Sequence, residues 1–348
     1  MASIPTTYRA AVLEAPGAAL HLRDLNIKHP GPGEVLVKVL ACGVCRSDWA
    51  VQAQYLGPLP RVPGHELIGE VVEIGIDVSR VKVGQQVGAG WHGGHDGVCQ
   101  ACEHGYFQMC KKGVINGGSV DGGYAEYVLL REEATVRIPA GLDPAEAAPL
   151  LCAGVTVFNG IRKLNVETGG LVAVQGLGGL GHLAVQYANH MGYKVVAISS
   201  GGSKRDLAMK LGAKAYVDSA EEDASKKLQN MGGATIIIAT APNPKAVSSL
   251  VPGLGLRGKL LILSGVGNVE ISTSILSRYG ASVHGWPSGH ATDCEDAIDF
   301  AQTHGIRCMV ERYSLDQAQS AFEHMLSSKA RFRAVIVMDK EGMQTADR

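Results

Sequence analysis

The chain has 348 residues, more than one hydrophobic core usually serves, so two domains are expected. Its 32 basic and 33 acidic residues leave a net charge of −1, which gives nucleic acid or an anionic membrane no electrostatic footprint to bind. No apolar run is long enough to span a bilayer, and MASIPTTYRA lacks the basic-then-apolar layout of a signal peptide. A cytoplasmic protein is therefore expected, in which eight cysteines serve metals more readily than disulfides.

The first half reads as short strands. EVLVKVL from Glu34, IGEVVEIG from Ile68 and GYAEYVLL from Gly123 lie between Gly and Pro, the texture of a β-rich, barrel-like domain. Among them are residues suited to chemistry. ACGVCRSD carries Cys45, PGHELIGEV carries His65 and Glu66, and Cys152 closes the half. Two thiolates and an imidazole meet the need of a catalytic zinc for nitrogen or sulfur ligands and one open position. Singly, each is better explained by a buried cysteine or a core histidine; the zinc reading rests on the three together and on what surrounds and follows them. Asp96, Cys99, Cys102 and Cys110 form a second cluster, spaced D-x2-C-x2-C-x7-C. Carboxylate oxygen can join three thiolates around a closed structural zinc. His92, His95 and His104 lie near enough in sequence to compete, and a loop of ordinary reduced thiols is the plain alternative. Cys42, Cys294 and Cys308 fit no ligand pattern and read as small apolar fillers.

From about Phe158 the pattern turns to strands alternating with helices. GLVAVQGLGGLG from Gly170 is an apolar run followed by Gly176, Gly178, Gly179, Leu180 and Gly181, and HLAVQYANHMG after it has helical spacing. Strand, glycine turn and helix together make a dinucleotide fingerprint, in which the glycines let the backbone approach a pyrophosphate at a helix N-terminus. VVAIS, KRDLAMKLG, ATIIIAT and GKLLILSG repeat the alternation and ASVHGW closes it, predicting a doubly wound parallel sheet. The strand VVAIS ends at Ser199, where an enzyme using NAD would place an acid about 20 residues past the glycines. Ser200 and Lys204 follow, so hydroxyls and a cation stand where a 2′-phosphate would be held. NADP is expected over NAD, with a solvated helix start the alternative for Lys204 and Arg205.

Zinc ligands, a cysteine cluster, a last zinc ligand and then a nucleotide loop resemble, in that order, the zinc-dependent medium-chain alcohol dehydrogenases. The resemblance runs from GPGEVLVKV near Gly31 to KARFRAVIV near the C-terminus, and Ser199, Ser200 and Lys204 look like the NADP-preferring cinnamyl-alcohol-type branch. It implies an α/β and β chain: a GroES-like catalytic domain over 1–157 and 288–348, with a Rossmann domain over 158–287. It also implies a site in the cleft between them. Reversible oxidation of alcohols to aldehydes or ketones is the implied activity, with one catalytic and one structural zinc and a homodimer or homotetramer.

Residue roles carry over position by position. Ser47, two after Cys45, matches a hydroxyl that relays the substrate proton, a turn or cap hydroxyl being its alternative. Asp48 would orient the zinc ligands, and Glu66 would approach the metal during ligand exchange. Arg46 and Arg333 match arginines that grip the pyrophosphate. Thr156, Leu180 and Val266 match contacts near the nicotinamide. Trp49, Trp91 and Trp286 are candidates for the substrate wall, with core packing an equal reading. Many relatives carry a histidine five residues after the first zinc cysteine; Ala50 stands there instead. Reduction of conjugated double bonds on the same zinc framework is the alternative activity. A non-catalytic zinc-binding protein would have no need of an open metal position.

Overall fold

The computed structural model describes residues 3–339. It divides into two compact units. One holds the chain up to Val155, Gly289–Phe300 and the part from Arg307 on; the other holds Thr156–Ser288 and Ala301–Ile306.

The first unit is built from short strands: β1 (Thr7–Leu13), β2 (Leu20–Asn26), β3 (Glu34–Gly43), β4 (Leu67–Ile74), β5 (Gln86–Ala89), β6 (His92–Gly94), β7 (Val114–Ile115), β8 (Tyr127–Arg131) and β9 (Val136–Arg137). Three brief helices interrupt them: α1 (Asp48–Gln52), α2 (Gln100–Glu103) and α3 (Pro144–Ala147). β3 is the organising strand. Its apolar residues bury almost without alternation, because it is paired antiparallel with both β4 and β8. A mostly hydrophobic cluster with Val35, Val37, Leu67, Tyr124 and Phe322 at its centre fills the unit.

The second unit follows the expected alternation: α4 (Ala153–Arg162) leads into β10 (Leu171–Gln175), α5 (Gly181–His190), β11 (Lys194–Ser199) and α6 (Arg205–Lys210). After these come β12 (Ala215–Asp218), α7 (Ala224–Asn230), β13 (Ala234–Ala239), α8 (Pro244–Leu250), β14 (Leu254–Ile262), α9 (Thr273–Tyr279) and β15 (Ser282–Gly285). The six strands run parallel in the order β12-β11-β10-β13-β14-β15. Strand order therefore reverses between β10 and β13, the switch point beyond which open α/β sheets bind ligands. β10 sits beside that point and buries Val172, Ala173 and Val174 completely, as a central parallel strand covered on both faces must.

The chain then runs through α10 (Ala291–His304), β16 (Val310–Ser314), α11 (Ala318–Leu326) and β17 (Arg333–Val337). β17 pairs antiparallel with the end of β3, Ile336 opposite Cys42, so the last described strand completes a seven-stranded sheet of the first unit.

Candidate active site and metal centres

The paired ends of β3 and β4 place the first cluster. Cys42 lies opposite Leu67 in their ladder, so Cys45, just past β3, meets His65 and Glu66, just before β4. Gly43 makes room for this approach, since a Cβ there would strike the Glu66 carboxylate. Cys152 arrives on the turn that leads into α4. Ligand atoms of Cys45, His65, Glu66 and Cys152 all lie within 4.8 Å of one another, and the two sulfurs are 4.0 Å apart. Thiolates about 2.3 Å from a tetrahedral zinc would stand about 3.8 Å apart, far beyond the length of a disulfide. His65 Nε2 and Glu66 Oε2 are buried and have no hydrogen-bond partner. Orphaned polar atoms at such a site call for an explanation, and a cation among two sulfurs and an imidazole supplies it. The residues fit zinc.

Asp48 organises the centre. Its Oδ1 takes the His65 Nδ1 hydrogen bond at 3.0 Å, fixing the ring, while Oδ2 accepts the Cys45 N–H at 2.9 Å and the Tyr124 hydroxyl at 2.6 Å. Electrostatics follow from burial and close charges. The contact between the two sulfurs holds the Cys45 thiol well below its ordinary value and, with burial, pushes Cys152 well up. Burial pulls His65 down, but Asp48 and Cys45 outweigh it and the ring sits well above the usual range. Burial raises Glu66 to about 7, with Arg333 pulling the other way. A dication competes with these protons for the same lone pairs.

Ser47 stands at the start of α1, half-buried, and its side chain makes no capping bond, so the cap reading of that hydroxyl is not what the structure shows. Trp91 meets the His65 ring edge-on, with centroids 4.9 Å apart. Trp49 is 45% exposed and packs against Tyr55. Trp286 belongs to the nucleotide unit, where its Nε1 donates to the Ser288 carbonyl. Arg46 is exposed; Arg333 is buried and pairs with Glu66.

The second cluster forms around α2. Ligand atoms of Asp96, Cys99, Cys102 and Cys110 lie within 4.8 Å of one another, with Cys99 3.6 Å from Cys102 and 3.7 Å from Cys110. Asp96 Oδ1 accepts the N–H groups of Val98 and Cys99, and these bonds hold its carboxyl below the usual range. Desolvation and the neighbouring thiols push Cys102 up to about 12. The histidines turn elsewhere: His92 and His95 bond each other at 3.0 Å, and His104 Nδ1 meets the Gln100 carbonyl.

In the second unit the glycine turn depends on Gly176 and Gly181. Gly176 has φ +89°, and a Cβ on Gly181 would overlap the Gly176 carbonyl, so the turn closes only without side chains. Gly178 faces open space. Leu180 precedes α5 and no side chain caps it, although the His182 N–H is already taken by the Gly178 carbonyl at 3.0 Å. Lys204 Nζ donates to the Leu177 carbonyl at 2.9 Å, tying the Ser199–Lys204 loop to the glycine turn. Asp218 lies opposite Ser199 in the β11–β12 ladder, and its Oδ1 accepts the N–H groups of Gly201 and Ala220. Thr156 and Val266 are nearly buried.

Comparison with known proteins accords with this geometry. A model of the alcohol dehydrogenase GroES-like domain matches residues 31–140, and one of the zinc-binding dehydrogenases matches 179–303. An alcohol dehydrogenase from Aspergillus sp. (strain MF297-2) is 54% identical over 97% of this chain and 100% of its own length. The chain belongs to the zinc-dependent medium-chain alcohol dehydrogenases. Solved members of the same fold include CAD from Helicobacter pylori complexed with NADP(H), at 26% identity and TM-score 0.85 over 96% of this chain and 99% of that one. The acetophenone reductase of Geotrichum candidum in complex with NAD also has 26% identity and TM-score 0.85, over 97% and 98%.

Within this alcohol dehydrogenase, two residues near the candidate sites escape a reading along the chain. Tyr124 reads as one more apolar position of a β-rich run, yet it bonds Asp48 from 76 residues away. Asp218 closes a later strand, and only the parallel pairing of β11 with β12 brings its carboxylate to the loop after Ser199. Among the described residues no helix is long and apolar enough to cross a membrane.

Proposed function

We propose that this alcohol dehydrogenase interconverts a small alcohol and its aldehyde or ketone with NADP(H), using a zinc held by Cys45, His65 and Cys152. The observation that carries the reading is the pair of sulfurs at 4.0 Å with His65 Nε2 and Glu66 Oε2 buried and unpartnered beside them. Zinc bound there would act as a Lewis acid, easing loss of the alcohol proton and polarising a carbonyl in the reverse direction. The rest falls to side chains. Asp48 holds the His65 ring in one tautomer and orientation. Ser47, whose hydroxyl caps nothing, takes up the substrate proton as donor and acceptor in one group. Ala50 has no proton to pass on, so no side chain at that position extends the relay from Ser47. Trp91, edge-on to His65, forms one wall of the substrate site and excludes water from it.

The glycine turn and the uncapped start of α5 take the pyrophosphate. Ser199, Ser200 and Lys204 receive the 2′-phosphate, and the Asp218 carboxylate, bonded to two backbone N–H groups, is spent inside the loop. Asp96, Cys99, Cys102 and Cys110 hold a second zinc that closes their lobe. Eight unpaired cysteines suit a reducing cytosol, and a homodimer or homotetramer is the expected assembly.

Elemental analysis combined with turnover of an aldehyde panel tests this. About two zincs per chain with NADPH-dependent reduction supports both centres. One zinc with activity removes the Asp96 lobe from the proposal. No zinc, with reduction of enones, overturns the chemistry. Ser199→Asp should shift preference toward NADH by placing a carboxylate against the 2′-phosphate; an unchanged preference would refute the cofactor assignment.

A further inference from the structure

Asp48 sits between the metal ligands and the interior, and its carboxylate is held from both sides. Cys45 N–H and the Tyr124 hydroxyl converge on Oδ2, while Oδ1 is left for His65. Of these partners, Tyr124 alone comes from a distant segment. It is fully buried, and its backbone is anchored as well: its N–H donates to the Pro63 carbonyl, and its carbonyl accepts from Ala11. Its ring presses on the loop that carries His65. A Cβ on Gly64 would lie 2.5 Å from Tyr124 Cδ1 and 2.8 Å from Cε1, so this glycine, at φ +101°, lets the ring pack against the residue that precedes His65. One side chain thus touches the ligand loop with its ring and the orienting carboxylate with its hydroxyl.

We propose that Tyr124 is a positioning residue for the metal centre, bracing Asp48 and the Pro63–His65 turn together and so setting how long the metal is retained. The inference rests on the zinc reading above. Without the hydroxyl, Asp48 Oδ2 keeps only the Cys45 N–H, the carboxylate can rotate, and His65 loses its fixed direction. Outer partners of this kind are worth about 10–100-fold in metal affinity.

The test uses the zinc-loaded enzyme and a chromogenic chelator, following release of each zinc with time. Tyr124→Phe, which keeps the ring, should release one zinc about 10–100-fold faster and leave the other zinc and NADPH binding unchanged. In an Asp48→Asn background the same substitution should add little, because the hydroxyl acts through the carboxylate. Unchanged release from Tyr124→Phe overturns the inference. So does an equal acceleration in both backgrounds, or of both zincs, which would mark general loosening. A wild-type chain that takes up no zinc overturns the metal reading itself. A wild-type chain that holds zinc, with a variant that holds it equally well, overturns the role of Tyr124 alone.

Discussion

At the scale of single residues, the candidate centre concentrates polar groups in a place that would be costly without a cation. Cys45, His65 and Glu66 are all buried, and Arg333 reaches Glu66 from the far end of the chain. Replacing Cys45 by Ser exchanges a soft thiolate for a hydroxyl that stays protonated and binds zinc poorly. Cys45→Ser is expected to lower kcat by about 100–1,000-fold or more, the scale seen when an electrostatic anchor of the reaction is removed. NADPH titration of the same variant should give a dissociation constant within about twofold of the wild type, since the nucleotide residues are untouched. Retained turnover would remove zinc from the mechanism. What could be read along the chain at this scale was the set of residue types and their order: Cys45, His65, Cys152 and the Asp96 lobe. Their partners could not be read, because Tyr124–Asp48 and Arg333–Glu66 join segments 76 and 267 residues apart. No local pattern encodes such a pairing.

At the scale of elements, the strand, glycine turn and helix from Leu171 to His190 were legible because their physics is local. A strand that buries all round, glycines that alone permit the turn, and a helix that starts without a cap are consecutive in sequence. The return of the C-terminal segment was not local in that sense; it depends on β17 pairing with β3 and on contacts such as those of Glu295 in α10. Glu295 accepts from the Arg137 backbone and guanidinium at 3.0 and 2.7 Å, with Arg80 at 3.5 Å, and so fastens α10 to β9. Desolvation raises the Glu295 carboxyl, but the bonds from Arg137 outweigh it and the net shift is downward. A group depressed on folding contributes stability above its unfolded value of about 4.3 and loses it as pH falls through the lower folded value. Glu295→Gln should therefore cost about 1 kcal/mol near pH 7, a figure reduced for the exposure of Arg137. The gap from wild type should narrow as pH falls below about 4.3. Urea unfolding at pH 7 and at pH 3.5 reads both values, and a gap that stayed constant with pH would show that packing, not charge, fastens the helix.

At the scale of the whole molecule, the candidate sites are divided between two compact units. Every candidate metal ligand, from Cys45 to Cys152, falls in the first, and the glycine turn with Ser199, Ser200 and Lys204 falls in the second. Each unit has its own hydrophobic core, one around β3 and one around the six parallel strands. Nucleotide affinity built within the second core has no direct need of a metal held in the first. Dialysis against a strong chelator should therefore abolish turnover while NADPH still binds within about threefold of its original affinity, a difference of less than about 0.7 kcal/mol. Stability should respond differently. A metal held by Cys45, His65 and Cys152 would join segments far apart in the first unit, so its loss should lower the unfolding temperature of that unit most, with re-added zinc restoring it. Calorimetry of the stripped protein with and without NADPH separates the two effects. A nucleotide affinity that collapsed on chelation would mean that the two units do not carry their ligands independently, and that the metal takes part in building the nucleotide site.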